Sequence, residues 1–472
     1  MLIQDRHSQG RGLPGAPPSA QEAMQSRAAA GSDNLRAVTI SSVLGAVIEW
    51  YDFFLYGVVA GLVLNRLYFP QADAVVSTML AYSTFALGFV ARPIGGVIFG
   101  HFGDRLGRKK MLMLTLLLMG GATVMIGLIP TYSSIGIAAP LLLLVCRIVQ
   151  GIGLGGEWGG AVLMTYESAP VEKRGFYASL PQIGMSLGLV LASGVVAILS
   201  YTLDDAQFLA WGWRSAFVAS GVLVILTFYM RKHVAETDDF NKAKKTKHDA
   251  LPIIDVFRKY PRTVLACMGA RVIDGVFFNV FGVFSIHYLT ETLHFPRMTA
   301  LLGVVFGAAV MTFFIPFWGR VSDKVGQPLV YGMGALLAGL SAYPAFMLMQ
   351  NASHSALPVW IAIVIPFGVF HAAVFGTMSS LFSEAFEPDV RYSGISFVYQ
   401  FAGVFAGGLT PVAATYLTGL QSGKPWYLCA YVLGAGTLSA LCCAWLARHR
   451  KSPRCERIRA RTLNATQRLE TL

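Results

Sequence analysis

Apolar residues in this chain come in long runs, not in the alternation of a strand or the single stripe of a surface helix. A helix that crosses a bilayer needs ~20 mostly apolar residues. Runs of that kind fall at roughly 39–64, 76–102, 111–130, 139–166, 175–200 and 212–231. A polar stretch follows from Lys232 to about Arg262, and then six more runs at roughly 263–290, 299–321, 329–349, 357–383, 393–420 and 426–447. The pattern predicts an all-α integral membrane protein of twelve transmembrane helices. It divides into a disordered cytoplasmic arm (1–37), a six-helix bundle (38–231), a cytoplasmic linker (232–262), a second six-helix bundle (263–447) and a basic cytoplasmic tail (448–472).

Composition agrees. The 472 residues are 55% hydrophobic and only 13% charged, where soluble chains carry about 25% charged. The 49 glycines suit close helix contacts in lipid. The net charge of +12 does not point to nucleic acid, because the basic residues gather at one set of helix ends. Arg105, Arg108, Lys109, Lys110, Lys173, Arg174, Arg320, Lys324 and Arg391 fall on one side, with the linker and the tail. Arg66, Arg297, Lys424 and Arg214 fall on the other. Positive residues stay inside, so both termini are expected in the cytoplasm, in a bacterial-type inner membrane. The basic run Lys242–Lys247 reads either as a solvated linker or as a contact with anionic headgroups. The six cysteines show no paired metal spacing and read as small apolar packing residues, so no metal is expected. The first ~35 residues lack the short apolar core of a signal peptide.

Two inner loops repeat. G-H-F-G-D-R-L-G-R-K-K (Gly100–Lys110) follows the second run, and G-R-V-S-D-K-V-G-Q-P (Gly319–Pro328) follows the eighth. Gly100, Asp104 and Gly107 align with Gly319, Asp323 and Gly326, as expected of a duplicated half. The aspartate is placed to accept backbone N–H groups from a neighbouring helix start. Arg105 and Arg108 help hold the first loop inside, and this loop pair, with Arg92, is the expected gate.

The first loop resembles the signature of the major facilitator superfamily. V-I-E-W-Y-D-F-F-L-Y-G (Val47–Gly57) is similar to the first-helix signature of its metabolite:proton symporters, carriers of shikimate, α-ketoglutarate, citrate, and proline or betaine. R-I-V-Q-G-I-G-L-G-G-E-W-G-G (Arg147–Gly160) and Y-Q-F-A-G-V-F-A-G-G-L-T-P (Tyr399–Pro411) resemble their fourth and eleventh helices, and the shikimate-type branch looks closest. Gln327 and Pro328 depart from the basic form of the loop. The resemblance implies the major facilitator fold, with spans one, four, seven and ten lining a central cavity.

Ionisable groups at mid-bilayer cost at least ~2.5 kcal/mol on insertion scales, so each needs a partner or a wet cavity. Span one holds Glu49 and Asp52, with Tyr56 continuing their face; span four holds Arg147, Gln150 and Glu157. Span seven holds Arg271, Asp274 and Asn279, and span ten holds His371. The candidate proton carriers are therefore Glu49, Asp52, Glu157, Asp274 and His371. Arg147 and Arg271 come from opposite halves and are expected to hold a carboxylate through their planar forks. Gln150, Asn279, Tyr56, Tyr399 and Gln400 complete the expected substrate set.

The expected activity is proton-coupled uptake of a small organic acid by alternating access, in a carrier that works as a monomer and is not an enzyme. No nucleotide-binding loop of the G-x-x-x-x-G-K-[ST] kind is present, so the proton gradient, without a cofactor, is the expected energy source. Two alternatives stay open: a carrier of zwitterionic osmolytes such as proline or betaine, and a sensor that binds without transporting.

Overall fold

A computed structural model of the protein describes residues 20–71, 73–106, 108–155, 158–233, 252–353 and 355–449. Regular structure among them is helical throughout. Ten helices are long and apolar enough to cross a bilayer. They are α1 (Ser42–Tyr68), α2 (Ala74–Phe99), α5 (Val171–Thr202), α6 (Asp205–Ile225), α7 (Pro261–Thr292), α8 (Arg297–Val325), α9 (Gln327–Gln350), α10 (Ala356–Ala385), α11 (Val390–Gly419) and α12 (Trp426–His449). Two shorter apolar helices, α3 (Met113–Leu128) and α4 (Ala138–Leu154), fill the remaining expected positions. Helical backbone resumes after α4 at Trp158–Ser168. The twelve fall where the apolar runs do.

Two segments carry more helix than their polarity indicates. The helix that becomes α1 begins at Ala20, inside the stretch assigned to the arm. The end of the linker forms a helix, Pro252–Lys259, where Val256 is buried and Phe257 meets Phe397 of α11 with ring centroids 4.6 Å apart. The run Lys242–Lys247 and the tail beyond His449 lie outside the described residues.

The halves meet along two seams, α5 against α8 and α2 against α11. Large apolar side chains such as Val97, Ile225, Leu265 and Phe313 point outward, a lipid-facing belt that water would not tolerate. Among the described residues five helices contain π-helical turns: Ala60–Leu64 in α1, Phe208–Gly212 in α6, Asn279–Phe284 and Tyr288–Thr292 in α7, Val364–Phe370 in α10 and Val404–Gly408 in α11. Such turns redirect side chains and free backbone groups, and they concentrate at functional sites.

The second repeated loop has a clear physical basis. Asp323 accepts the backbone N–H of Gly175 at 2.7 Å and of Phe176 at 2.9 Å, at the start of α5 in the other half. Gly319 packs against Ser179 and Gly175, where a Cβ would stand 2.6 Å from the Ser179 hydroxyl. Gly326 takes φ +99°, open to glycine without strain. Gln327 and Pro328 then begin α9, with proline at a favoured first-turn position. Gln327 donates to Glu384 of α10 at 2.9 Å. In the first loop Gly107 lies outside the described residues, and Gly100, Asp104, Arg105 and Arg108 are described only as helical backbone.

Candidate transport site

Glycines set the geometry of the N-terminal half. A Cβ on Gly151 would overlap the Gly88 carbonyl, and one on Gly155 would overlap the Arg92 carbonyl. The backbones of α2 and α4 therefore touch, and Gly151 and Gly155 are a packing device that brings Arg92 and Arg147 into one neighbourhood. Arg147 is fully buried and lies against Gly88, where a Cβ would stand 3.0 Å from Nη2.

Arg147 donates through Nη1 to Gln150, and Gln150 donates to Thr123 of α3. The Arg147 guanidinium carbon sits 4.1 Å from the Tyr56 ring centroid, and the Tyr56 hydroxyl bonds Thr84 of α2. Asp52 is buried beside the hydroxyls of Thr123 and Ser220. Its neighbours are hydroxyls, not the arginine that the sequence places in the same half. Its Oδ1, and Nε and Nη2 of Arg147, lack hydrogen-bond partners within the protein.

The C-terminal half holds a tighter cluster. Arg271 Nη1 lies 3.5 Å from Asp274 Oδ2, one helical turn away on α7. Asp274 Oδ1 lies 3.2 Å from His371 Nε2 on α10. All three are buried, His371 completely. The imidazole is stacked on Phe277 and Phe367, at centroid distances of 5.6 and 5.7 Å. Arg271 also caps the Tyr399 ring, its guanidinium carbon 3.4 Å from the centroid. Its Nε is left without a protein partner. Buried ions survive only when paired or solvated, and this cluster satisfies Asp274 from two sides while leaving Arg271 with spare donor capacity.

A central space of about 30 Å³ lies between the halves. Arg271, Asp274, Asn279 and Tyr399 line it from one side, Trp50, Phe54, Phe89 and Met185 from the other. That volume holds a water molecule or two and no organic acid. The conformation is closed at its centre, and both ends are tied across the halves. Asp323 with Gly175 and Phe176, and Arg391 with Glu167 at 3.0 Å, close one end. Arg66 with Glu291 at 2.6 Å, and Arg297 with Asp205 at 3.1 Å, join the other.

Arg271, Asp274, His371, Asn279 and Tyr399 thus come together at the centre. Asp52, Arg147, Gln150 and Tyr56 form a second cluster that does not line the central space, so Arg147 and Arg271 do not face one chamber in this conformation. The physical reason is local: Gln150, three residues on, and the Tyr56 face hold the Arg147 guanidinium inside its own half. Arg92, expected at the gate, stands between the clusters instead. Its guanidinium carbon lies 4.2 Å from both the Phe53 and Phe89 centroids, and Nε and Nη2 are unpartnered. Glu49 is half-buried and within electrostatic reach of Arg92. Gln400 donates across the halves to the Gly155 carbonyl at 3.0 Å. Glu157 lies outside the described residues.

Sequence reasoning missed Thr123, a lone hydroxyl in an apolar run, and the ion pairs at the helix ends. Arg66, Arg297 and Arg391 served only as topology markers, yet each meets an acidic residue of the other half.

Two opposed helical halves, with charged clusters buried around a central closure, suit a carrier. Comparisons agree. The profile described as Sugar (and other) transporter matches residues 38–261, and that of the Major Facilitator Superfamily matches residues 267–470. The shikimate transporter of Escherichia coli K12 is 40% identical over 407 residues, covering 85% of this chain and 92% of that protein. The inner membrane metabolite transport protein YhjE of the same organism is 38% identical, over 80% of this chain and 87% of its own. The proline/betaine transporter of E. coli K12 is 34% identical, with 84% and 80% covered. Among solved structures, the partially occluded inward-open xylose transporter XylE from E. coli superposes with a TM-score of 0.69 at 18% identity, over 89% of this chain and 98% of that one. The chain belongs to the major facilitator superfamily, among its metabolite transporters: a multi-pass membrane carrier and not an enzyme.

Proposed function

We propose that this carrier takes up a small organic acid together with protons by alternating access. The supporting observation is the buried Arg271–Asp274–His371 cluster beside the central space, with guanidinium nitrogens of Arg271 and Arg92 left over. A carboxylate between two guanidinium forks gains charge-assisted bonds to the nitrogens that the protein leaves unpartnered. Arg271 supplies the fork from the C-terminal half, and Arg92, packed on Phe53 and Phe89 in this conformation, supplies the other on opening. Arg147 enters when the N-terminal cluster rearranges on opening.

Asp52 is the leading proton carrier, because a buried carboxyl among hydroxyls, with no cation beside it, is costly as an anion and well served by a proton. Asp274 and His371 are the second proton-linked pair, and Glu49 and Glu157 remain candidates. Proton and anion together neutralise the centre, which permits the halves to rock; the membrane proton gradient drives the cycle and no cofactor takes part. The Asp323 end, dense in lysine and arginine, faces the cytoplasm with both termini, and the Arg66 end faces outward. One copy of the chain suffices.

A second reading, carriage of a zwitterionic osmolyte, draws on the aromatic wall of Trp50, Phe54, Phe89 and Phe278 around the same space, a surface that suits an ammonium group. Uptake of labelled shikimate, α-ketoglutarate, citrate, a simple monocarboxylate and betaine into proteoliposomes separates the two. The first reading expects at least one of the acids to be concentrated and betaine left out; accumulation of betaine alone reverses the assignment.

A further inference from the structure

A second, wider space lies away from the centre. A chamber of about 680 Å³ opens at the Arg66 end, between α1, α2, α7 and α11. Small-molecule sites occupy roughly 300–1,000 Å³, so this chamber accommodates an organic acid where the central space does not.

Its wall carries one cation and several oxygens. Arg66 lines it, paired at 2.6 Å with Glu291, which also lines it. Both side chains are accessible, 50% for Arg66 and 33% for Glu291. Exposed pairs of this kind hold weakly, so a substrate carboxylate exchanges readily with Glu291. Deeper in the wall, Asn65, Thr78, Thr415 and Thr418 are buried polar residues. The Thr415 and Thr418 hydroxyls donate to carbonyls of their own helix, which leaves their oxygens as acceptors for ligand hydroxyls.

The floor is closed. The Tyr82 hydroxyl presses on Gly61, where a Cβ would overlap it. The His287 ring stands perpendicular to Tyr82, and its Nδ1 lies 3.3 Å from the Gly61 carbonyl. Gly61 belongs to the π-helical turn of α1, and His287 sits in the short segment between the two of α7. Irregular backbone thus flanks the plug on both sides.

We infer that this chamber is a second, outer binding site for a hydroxylated organic acid, which waits above the Gly61–Tyr82–His287 floor with its carboxylate on Arg66 in exchange for Glu291. The inference rests on the organic-acid reading for its ligand class.

Equilibrium binding of radiolabelled shikimate to the purified full-length carrier, beside uptake in proteoliposomes, tests it. The wild type binds two equivalents. Arg66→Gln weakens one of them about two- to fivefold, the loss expected for an exposed ion pair. Arg271→Gln removes the other. Gly61→Val, which jams the floor, stops uptake and retains the Arg66-dependent equivalent. A single equivalent, lost in Arg271→Gln and unchanged in Arg66→Gln while wild-type uptake is normal, overturns the outer site and leaves the carrier reading in place. Neither binding nor uptake of any of the acids removes both. Should Gly61→Val not accumulate in the membrane, the comparison of Arg66→Gln with Arg271→Gln decides alone.

Discussion

The Asp274 carboxylate stands 3.2 Å from the His371 imidazole, on facing helices of one half, while the same carboxylate holds Arg271 at 3.5 Å. Histidine and arginine thus share one buried anion. In the proposed mechanism this shared anion links proton binding to the freedom of Arg271 to meet a substrate.

Replacing Arg271 by Gln removes the fork and leaves Asp274 with one partner. Uptake of an anionic substrate is expected to fall at least tenfold. Breaking a buried pair by removing one partner costs about 3–5 kcal/mol, so thermal stability falls as well. The double variant Arg271→Gln/Asp274→Asn removes the orphaned charge. It is expected to regain stability in a melting assay without regaining uptake. Recovery of uptake in the double variant would show that the pair is only structural.

Asp52 has Thr123 and Ser220 as its polar neighbours. Asp52→Asn mimics the protonated form. The expected phenotype is retained substrate exchange between equal pools with loss of accumulation against a gradient. Exchange and net uptake measured on one preparation separate these. Concentrative uptake by Asp52→Asn assigns the proton to another group.

Asp323→Asn weakens two charge-assisted bonds to Gly175 and Phe176, each contributing about 1.5–3 kcal/mol. The Asp323 end is expected to open more often. A cysteine placed at the buried Ser179, in a background with the native cysteines replaced, should be alkylated faster in Asp323→Asn. An unchanged rate removes the latch role.

Gly151→Ala places a methyl group against the Gly88 carbonyl. Overpacking of this kind costs about 1–3 kcal/mol. The melting temperature should fall, and uptake should fall with it, because α2 and α4 carry Arg92 and Arg147. A variant as stable and active as the wild type contradicts the close helix contact.

Much of this architecture is legible in the chain. Apolar runs place all twelve helices, since lipid demands length and composition rather than detailed pattern. The kind of partner that Asp323 takes, backbone N–H groups at a neighbouring helix start, follows from its place at a helix end; that these belong to Gly175 and Phe176 does not. The clusters were legible only in part. Arg271 and Asp274 are three residues apart and so share a helix face. Their link to His371 joins positions 97 apart in sequence, which no local spacing reveals. Arg92 is the opposite case: beside Pro93 in α2 it reads as part of the gate, and only the packing of α2 on α4 and α11 sets it between the two clusters. The chamber at the Arg66 end was invisible, because its wall draws on four helices and none of its residues forms a motif.

Proteoliposomes loaded at alkaline pH and diluted into acidic medium put the coupled-uptake account to its most direct test, with labelled shikimate as probe. The account predicts accumulation above the external concentration, collapse on adding a protonophore, and no accumulation in Arg271→Gln. Uptake that only equilibrates, at the same rate with and without the protonophore, contradicts it.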